Sequence, residues 1–258
     1  EDKKKIHSII EQQCKNGFNG VNAAICTGLR QWLVNATLTV AKRLEVAEGH
    51  ESHPFIEIAK LSKMKIYNML TVVGRFLENM HRFDKAELIY QFQHSVAKKL
   101  NDGSQDCVAI TMCNMGRVLK HLGTQKMDHT VLMRGAQLIE SAIEYFKKSE
   151  GGENSLQCMD AMVNLGRIYR QAFAMLHGYS EPDSPEVPGA SKQLLYTMGQ
   201  EALAKAEQYL ATVVGHCEQM GVDPTVELNG SDRLSQMAIV YRNASGNLAL
   251  VYKHQKNH

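Results

Sequence analysis

Apolar residues return along most of the chain at the three-to-four-residue interval of amphipathic helices, and one phrase of that pattern recurs. It reads "TVVGRFLENM" at 71–80, "MCNMGRVLKHLG" at 112–123 and "VNLGRIYRQ" at 163–171. Aligned on Gly74, Gly116 and Gly166, each copy has a large apolar residue before the glycine (Val73, Met115, Leu165). Each has an arginine after it (Arg75, Arg117, Arg167), and Leu77, Leu119 or Tyr169 three residues on. "GNLALVYKHQ" (246–255) is a fourth copy, with Ala249 in the small position and Tyr252 three further. A glycine inside a helix costs about 1 kcal/mol relative to alanine, so its return at one register needs a compensating contact. Where two helices cross closely, any larger side chain would hold the backbones apart.

A second amphipathic helix follows each phrase. Its mark is a small residue with a large one four later on the same face: Ala86 and Tyr90, Ala142 and Phe146, Ala206 and Leu210. Each unit therefore predicts helix–turn–helix. The pattern resembles the tetratricopeptide repeat, best over 70–90, where Leu70, Val73, Gly74, Leu77, Phe83, Ala86 and Tyr90 occupy its signature positions. Gly74 and Gly116 stand 42 positions apart, the repeat length of kinesin light chains, whose first helix "CVAITMCNMGRVL" (107–119), "CMDAMVNLGRIY" (158–169) and "NLALVYKHQKN" (247–257) also resemble. The resemblance implies an all-α, right-handed solenoid of about three and a half units. These span about 55–102, 103–152, 153–222 and 223–258, the last a partial unit. Residues 1–54 fit no repeat and are expected to form an N-terminal helical cap, since an exposed solenoid end must be covered.

The units are unequal in length. Gly116 and Ala142 are 26 residues apart, so the second helix of that unit is expected to begin early, near Asp128. "GYSEPDSPEVPGASK" (178–192) holds three of the five prolines and reads as an exposed loop between the two helices of the third unit. "GVDPTVELNGSD" (221–232) is the next linker, with Ser231 or Asp232 placed to cap the last helix. The fourth unit stops after one helix and the chain opens on Glu1, as expected of a processed product or part of a longer array.

Composition narrows the function. The net charge is +2, with 22% charged residues, which gives no electrostatic argument for nucleic acid. Six separated cysteines form no CxxC and predict reduced, buried thiols in a reducing compartment. That points to the cytoplasm, with a ciliary or mitochondrial assembly as the alternative. No apolar run is long enough to span a membrane. The sequons at Asn35, Asn229 and Asn243 read as chance matches. His50 and His53 stand three apart without a third ligand, and Met112, Met115, Met159 and Met162 read as core filling. No phosphate loop, GxGxxG, HExxH or GxSxG occurs. No catalytic residue, cofactor or metal ion is therefore expected.

The sharper signal is cationic. In the tetratricopeptide family the positions one and four after the glycine, and two before it, face a concave groove. The resemblance thus places Arg75, Arg117 and Arg167 in one ladder. Lys120, Arg170 and Lys253 form a second, interrupted by Glu78. Asn114, Asn164 and Asn247 form a third. Guanidinium groups take carboxylates bidentately, and asparagine amides can hold the backbone of an extended peptide. The expected partner is an acidic peptide of another protein, as in kinesin light chains. The bland reading is that the arginines are solvated or paired within the array. Rivals are an architectural subunit of a large ciliary or organellar complex, an RNA-binding helical repeat, and an enzyme site assembled across repeats.

Overall fold

The computed structural model describes residues 55–100, 105–149, 151–225 and 232–256. Contacts divide the chain into residues 1–59 and 60–258, and nearly everything described lies in the second unit. The expected cap at 1–54, His50 and His53, Cys14 and Cys26, and the sequons at Asn35 and Asn229 lie outside the described residues.

Seven α-helices and one short 3-10 turn, with no strand, make up the described residues. The helices are α1 (Phe55–Asn79), α2 (Phe83–Lys98), α3 (Gln105–Lys126), α4 (His129–Lys148), α5 (Leu156–Ser180), α6 (Lys192–Gln219) and α7 (Arg233–Lys256). The 3-10 turn is Gly152–Asn154. Each helix from α2 onward packs on the next in sequence, and α5 also touches both α3 and α7. No described helix is long and apolar enough to cross a membrane.

The breaks between helices follow local chemistry. His81 takes the left-handed conformation after α1 (φ 55°), and the next amide, Arg82 N–H, reaches back to the Leu77 carbonyl at 2.9 Å. Met127 does the same after α3 (φ 51°), with Asp128 N–H on the Gly123 carbonyl at 2.8 Å. The Asp128 side chain then accepts from Val131 N–H at 3.1 Å and opens α4, as the early-start reading expects. Ser155, Ser191 and Asp232 cap α5, α6 and α7 in the same way. Residues 181–191 form the loop between α5 and α6. The Lys192 ammonium gathers that loop by donating to the carbonyls of Glu181 (2.8 Å), Pro182 and Ser184.

Helices α3 to α7 share one apolar core from Ala109 to Val251, with Leu132, Ile139, Met159, Leu165, Phe173 and Leu210 enclosed in it. Each such side chain contributes about 1.5–3 kcal/mol through water exclusion. Met159 and Met162 lie in that core, and Met112 is half-buried against it. Cys158 and Cys217 are buried, Cys107 and Cys113 half-buried, and all four are free thiols.

The recurring glycines lie where helices meet most closely. A Cβ added to Gly74 would come 2.4 Å from the Tyr90 ring, and one on Gly166 would come 2.7 Å from Leu210 Cγ. Tyr90 and Leu210 are the large residues expected on the second helices, with Ala86 and Ala206 buried four before them. The middle pair corrects the sequence reading. Gly116 faces Ile139 (2.5 Å) and the Gly135 carbonyl (2.7 Å), so Gly135 and Ile139 take the place given to Ala142 and Phe146. Ala142 is buried, but one heptad further along the same face of α4. Ala249 is exposed on α7, because the described residues contain no hairpin partner for that helix.

Candidate binding surface on the first helix of each pair

The predicted ladder residues lie on α1, α3, α5 and α7, one helix from each pair. Their side chains are in unequal circumstances. Arg75 is exposed on α1. Arg117 on α3 is committed within the protein. Its Nε and Nη2 donate to the two carboxylate oxygens of Glu78, both at 2.8 Å, and Nη2 also donates to Asn114 Oδ1 at 3.0 Å. The pair is largely shielded, at 26% and 11% side-chain exposure for Arg117 and Glu78. Burial would raise the Glu78 pKa, but the hydrogen bonds and charge of Arg117, with a further bond from the Tyr90 hydroxyl, hold it below the usual carboxylate value. Burial works against the charge on Arg117 too, and Glu78 overcomes it, raising the guanidinium above its ordinary value.

Glu78 stands four residues after its glycine, and Arg117 stands one after the next glycine, so at this step the fourth position of one unit meets the first position of the following unit. At the next step those positions carry Lys120 and Arg167, two cations. Lys120 responds accordingly. Burial, then the guanidiniums of Arg167, Arg117 and Arg170, push its amine down to about 8 against the opposing pull of Glu78. Arg170, three residues beyond Arg167 on α5, is lowered by burial and by Arg167. Its Nε is buried without a hydrogen-bond partner. None of Lys120, Arg167 and Arg170 makes an ion pair among the described residues. At the last step Arg170 and Leu250 occupy the two positions, and Lys253 is exposed.

Two of the ladder's three asparagine amides are engaged on their own helix. Asn164 Nδ2 donates to the Asp160 carbonyl (2.9 Å) and carboxylate (3.1 Å), and Asn247 Nδ2 donates to the Asn243 carbonyl (2.7 Å). Asn114 keeps a buried Nδ2 with no partner while its oxygen holds Arg117.

Sequence reasoning missed two residues. Glu78 reads as an interruption of the ladder but is the carboxylate that locks Arg117. Asp160 was not singled out at all, yet the charges of Arg117, Arg167 and Arg75 all act on it, so the three arginines share one electrostatic space. Asp160 is solvent-accessible. Even so, protein crowds it enough for burial to be the main force on its pKa, which is raised. The signal for Asp160 was its place four residues before Asn164, one turn away on the same face.

Among the described residues no cluster of histidine, cysteine and carboxylate side chains could hold a metal ion. No protein-family model and no curated protein sequence matches the chain.

Proposed function

We propose that residues 55–258 form a right-handed α-solenoid of tetratricopeptide-like helix pairs. In this reading the protein is a non-enzymatic adaptor or scaffold that holds an acidic, extended peptide segment of a partner protein against α1, α3, α5 and α7. Support for the repeat comes from the order of packing and from the close crossings at Gly74, Gly116 and Gly166. One observation carries the function. Where Glu78 neutralises Arg117, the next step leaves Lys120, Arg167 and Arg170 without an ion pair among the described residues, crowded by protein and by one another, with Asp160 a carboxylate that Arg167 acts on. Folding gains nothing from that arrangement, and an incoming acidic side chain would supply what the chain omits. Free thiols suit a cytoplasmic or other reducing setting.

The test is fluorescence anisotropy with a labelled glutamate-rich peptide containing one tryptophan. The wild-type chain should bind it, and Arg167→Glu with Arg170→Glu should weaken binding about tenfold or more. Arg134→Glu, an exposed change on α4, should leave it unchanged. Arg117 is unsuited to reversal, because Arg117→Glu would set a carboxylate against Glu78 and disturb the fold. Equal binding by the reversed and wild-type proteins would refute the proposal.

A further inference from the structure

We infer that the Lys120–Arg167–Arg170 cluster recognises a phosphorylated side chain of the bound peptide, a doubly charged phosphate monoester, in preference to a single carboxylate. The inference rests on the groove reading above and names the chemistry of one part of it.

The array shows what a single carboxylate needs. Glu78 is served by one guanidinium in a two-point fork, helped by the Tyr90 hydroxyl, and one negative charge there meets one positive charge. The next step is built differently. Two guanidiniums three residues apart on α5 share a helix face, and the Lys120 ammonium comes from α3. The residue that replaces Tyr90 against the glycine is Ile139, which brings no hydroxyl. Three cations stand where the preceding step has one cation and one anion. Asp160 is the nearby carboxylate, and its charge is divided among Arg75, Arg117 and Arg167.

A carboxylate bound here would leave two positive charges uncompensated. A phosphate monoester carries about −1.5 to −2 charge at neutral pH and three acceptor oxygens, so it compensates more of the charge than a carboxylate does and offers an acceptor to each of the three donor groups. The unpartnered Arg170 Nε is a donor still lacking its acceptor. Guanidinium groups pair bidentately with phosphate as they do with carboxylate.

Calorimetric titration of the full chain tests this with a short glycine-rich peptide carrying one phosphoserine, its serine and glutamate counterparts, and inorganic phosphate. The phosphoserine peptide should bind about tenfold more tightly than the glutamate peptide, and the serine peptide should show no binding. Lys120→Gln and Arg170→Gln should each lower phosphopeptide affinity about tenfold, with Arg134→Gln, an exposed change on α4, leaving it unchanged. Phosphopeptide should also protect Lys120 of the wild-type chain from acetylation, read by peptide mass spectrometry. That arm needs no variant to fold. Equal affinity for the glutamate and phosphoserine peptides would overturn the inference and leave the acidic-groove reading standing. Binding of inorganic phosphate as tightly as the peptide would overturn the assignment to a phosphorylated side chain. Loss of binding to every acidic probe, the glutamate-rich peptide included, would overturn both readings.

Discussion

Gly116→Ala adds one methyl group, and the crossing of α3 and α4 fixes the sign of its effect. In an open helix the change stabilises by about 1 kcal/mol. Here the new Cβ would lie 2.5 Å from Ile139 Cγ1 and 2.7 Å from the Gly135 carbonyl oxygen. Ile139 can turn aside, but the carbonyl belongs to the α4 backbone and moves only if the helices separate. Overpacking of this kind costs about 1–3 kcal/mol, toward the upper end where backbone must yield. Subtracting the propensity gain leaves a destabilisation of about 2 kcal/mol. Gly246 on α7 is the control, since a Cβ there meets nothing within 4 Å. Gly246→Ala should stabilise by about 1 kcal/mol. Urea unfolding followed by circular dichroism at about 222 nm separates the two, at about 0.3–0.5 M in midpoint per kcal/mol. Gly135→Ala, with its Cβ 2.9 Å from the Gly116 carbonyl, should destabilise too. It should be less than additive with Gly116→Ala, because both changes force apart the same crossing. If Gly116→Ala stabilised the protein as Gly246→Ala does, the crossing would not be as close as described and the reason given for the repeated glycine would fail.

Glu78→Gln should cost about 2 kcal/mol at pH 7, because it leaves a largely shielded guanidinium with a weaker acceptor. The folded-state pKa of Glu78 is lowered from 4.5, so its contribution is complete above that value and lost as pH falls through the folded pKa. Urea midpoints of wild type and variant should therefore converge below about pH 4.5. Lys120→Met should stabilise the protein at pH 7 by on the order of 1 kcal/mol, by removing a cation crowded by burial, Arg167, Arg117 and Arg170. Since the Lys120 amine titrates near 8 when folded and 10.5 when unfolded, wild type should gain stability between those pH values and the difference should shrink. A flat difference across that range would show that Lys120 is not under strain. Met127→Gly should raise the thermal midpoint, worth about 0.5–1 kcal/mol, by placing glycine at a left-handed position now held by methionine. No change would mean that the turn after α3 carries no left-handed strain.

Periodicity made the helices legible, and two of the three close crossings with them. Gly74 against Tyr90 and Gly166 against Leu210 match the small–large pairs read from the second helices. The α4 register does not, because the pattern offers two pairs there, as it also does on α6 with Gly199–Leu203 beside Ala206–Leu210. Gly135 with Ile139 and Ala142 with Phe146 are seven residues apart, nearly two whole turns, and so lie on one face. Pattern alone does not separate positions that share a face. The cap at Asp128 fixes the start of α4, but the contact at Gly116 is a tertiary fact. The ladder was legible as a list of positions and illegible as a set of partners. Which arginine is occupied depends on how far one helix pair is offset from the next. Only the offset brings the fourth position of one unit to the first position of its neighbour.

In the proposed reading, that offset decides between cohesion at one step and capture at the next. With glutamate at the fourth position, α1 is tied to α3 through Arg117, and the arginine is closed to outside anions. With lysine there, that tie is missing between α3 and α5, and like charges oppose their contact. A residue retained for folding loses stability when it is removed, as Glu78 should. Lys120 should do the reverse, because its charge is accommodated by the apolar packing beneath it. The core under α5 is fit to bear this load, since Leu165, Ile168 and Phe173 are enclosed on the helix that carries Arg167 and Arg170. Stability stored in the buried face of α5 is what allows its open face to remain unneutralised, as the proposed capture of an anion requires.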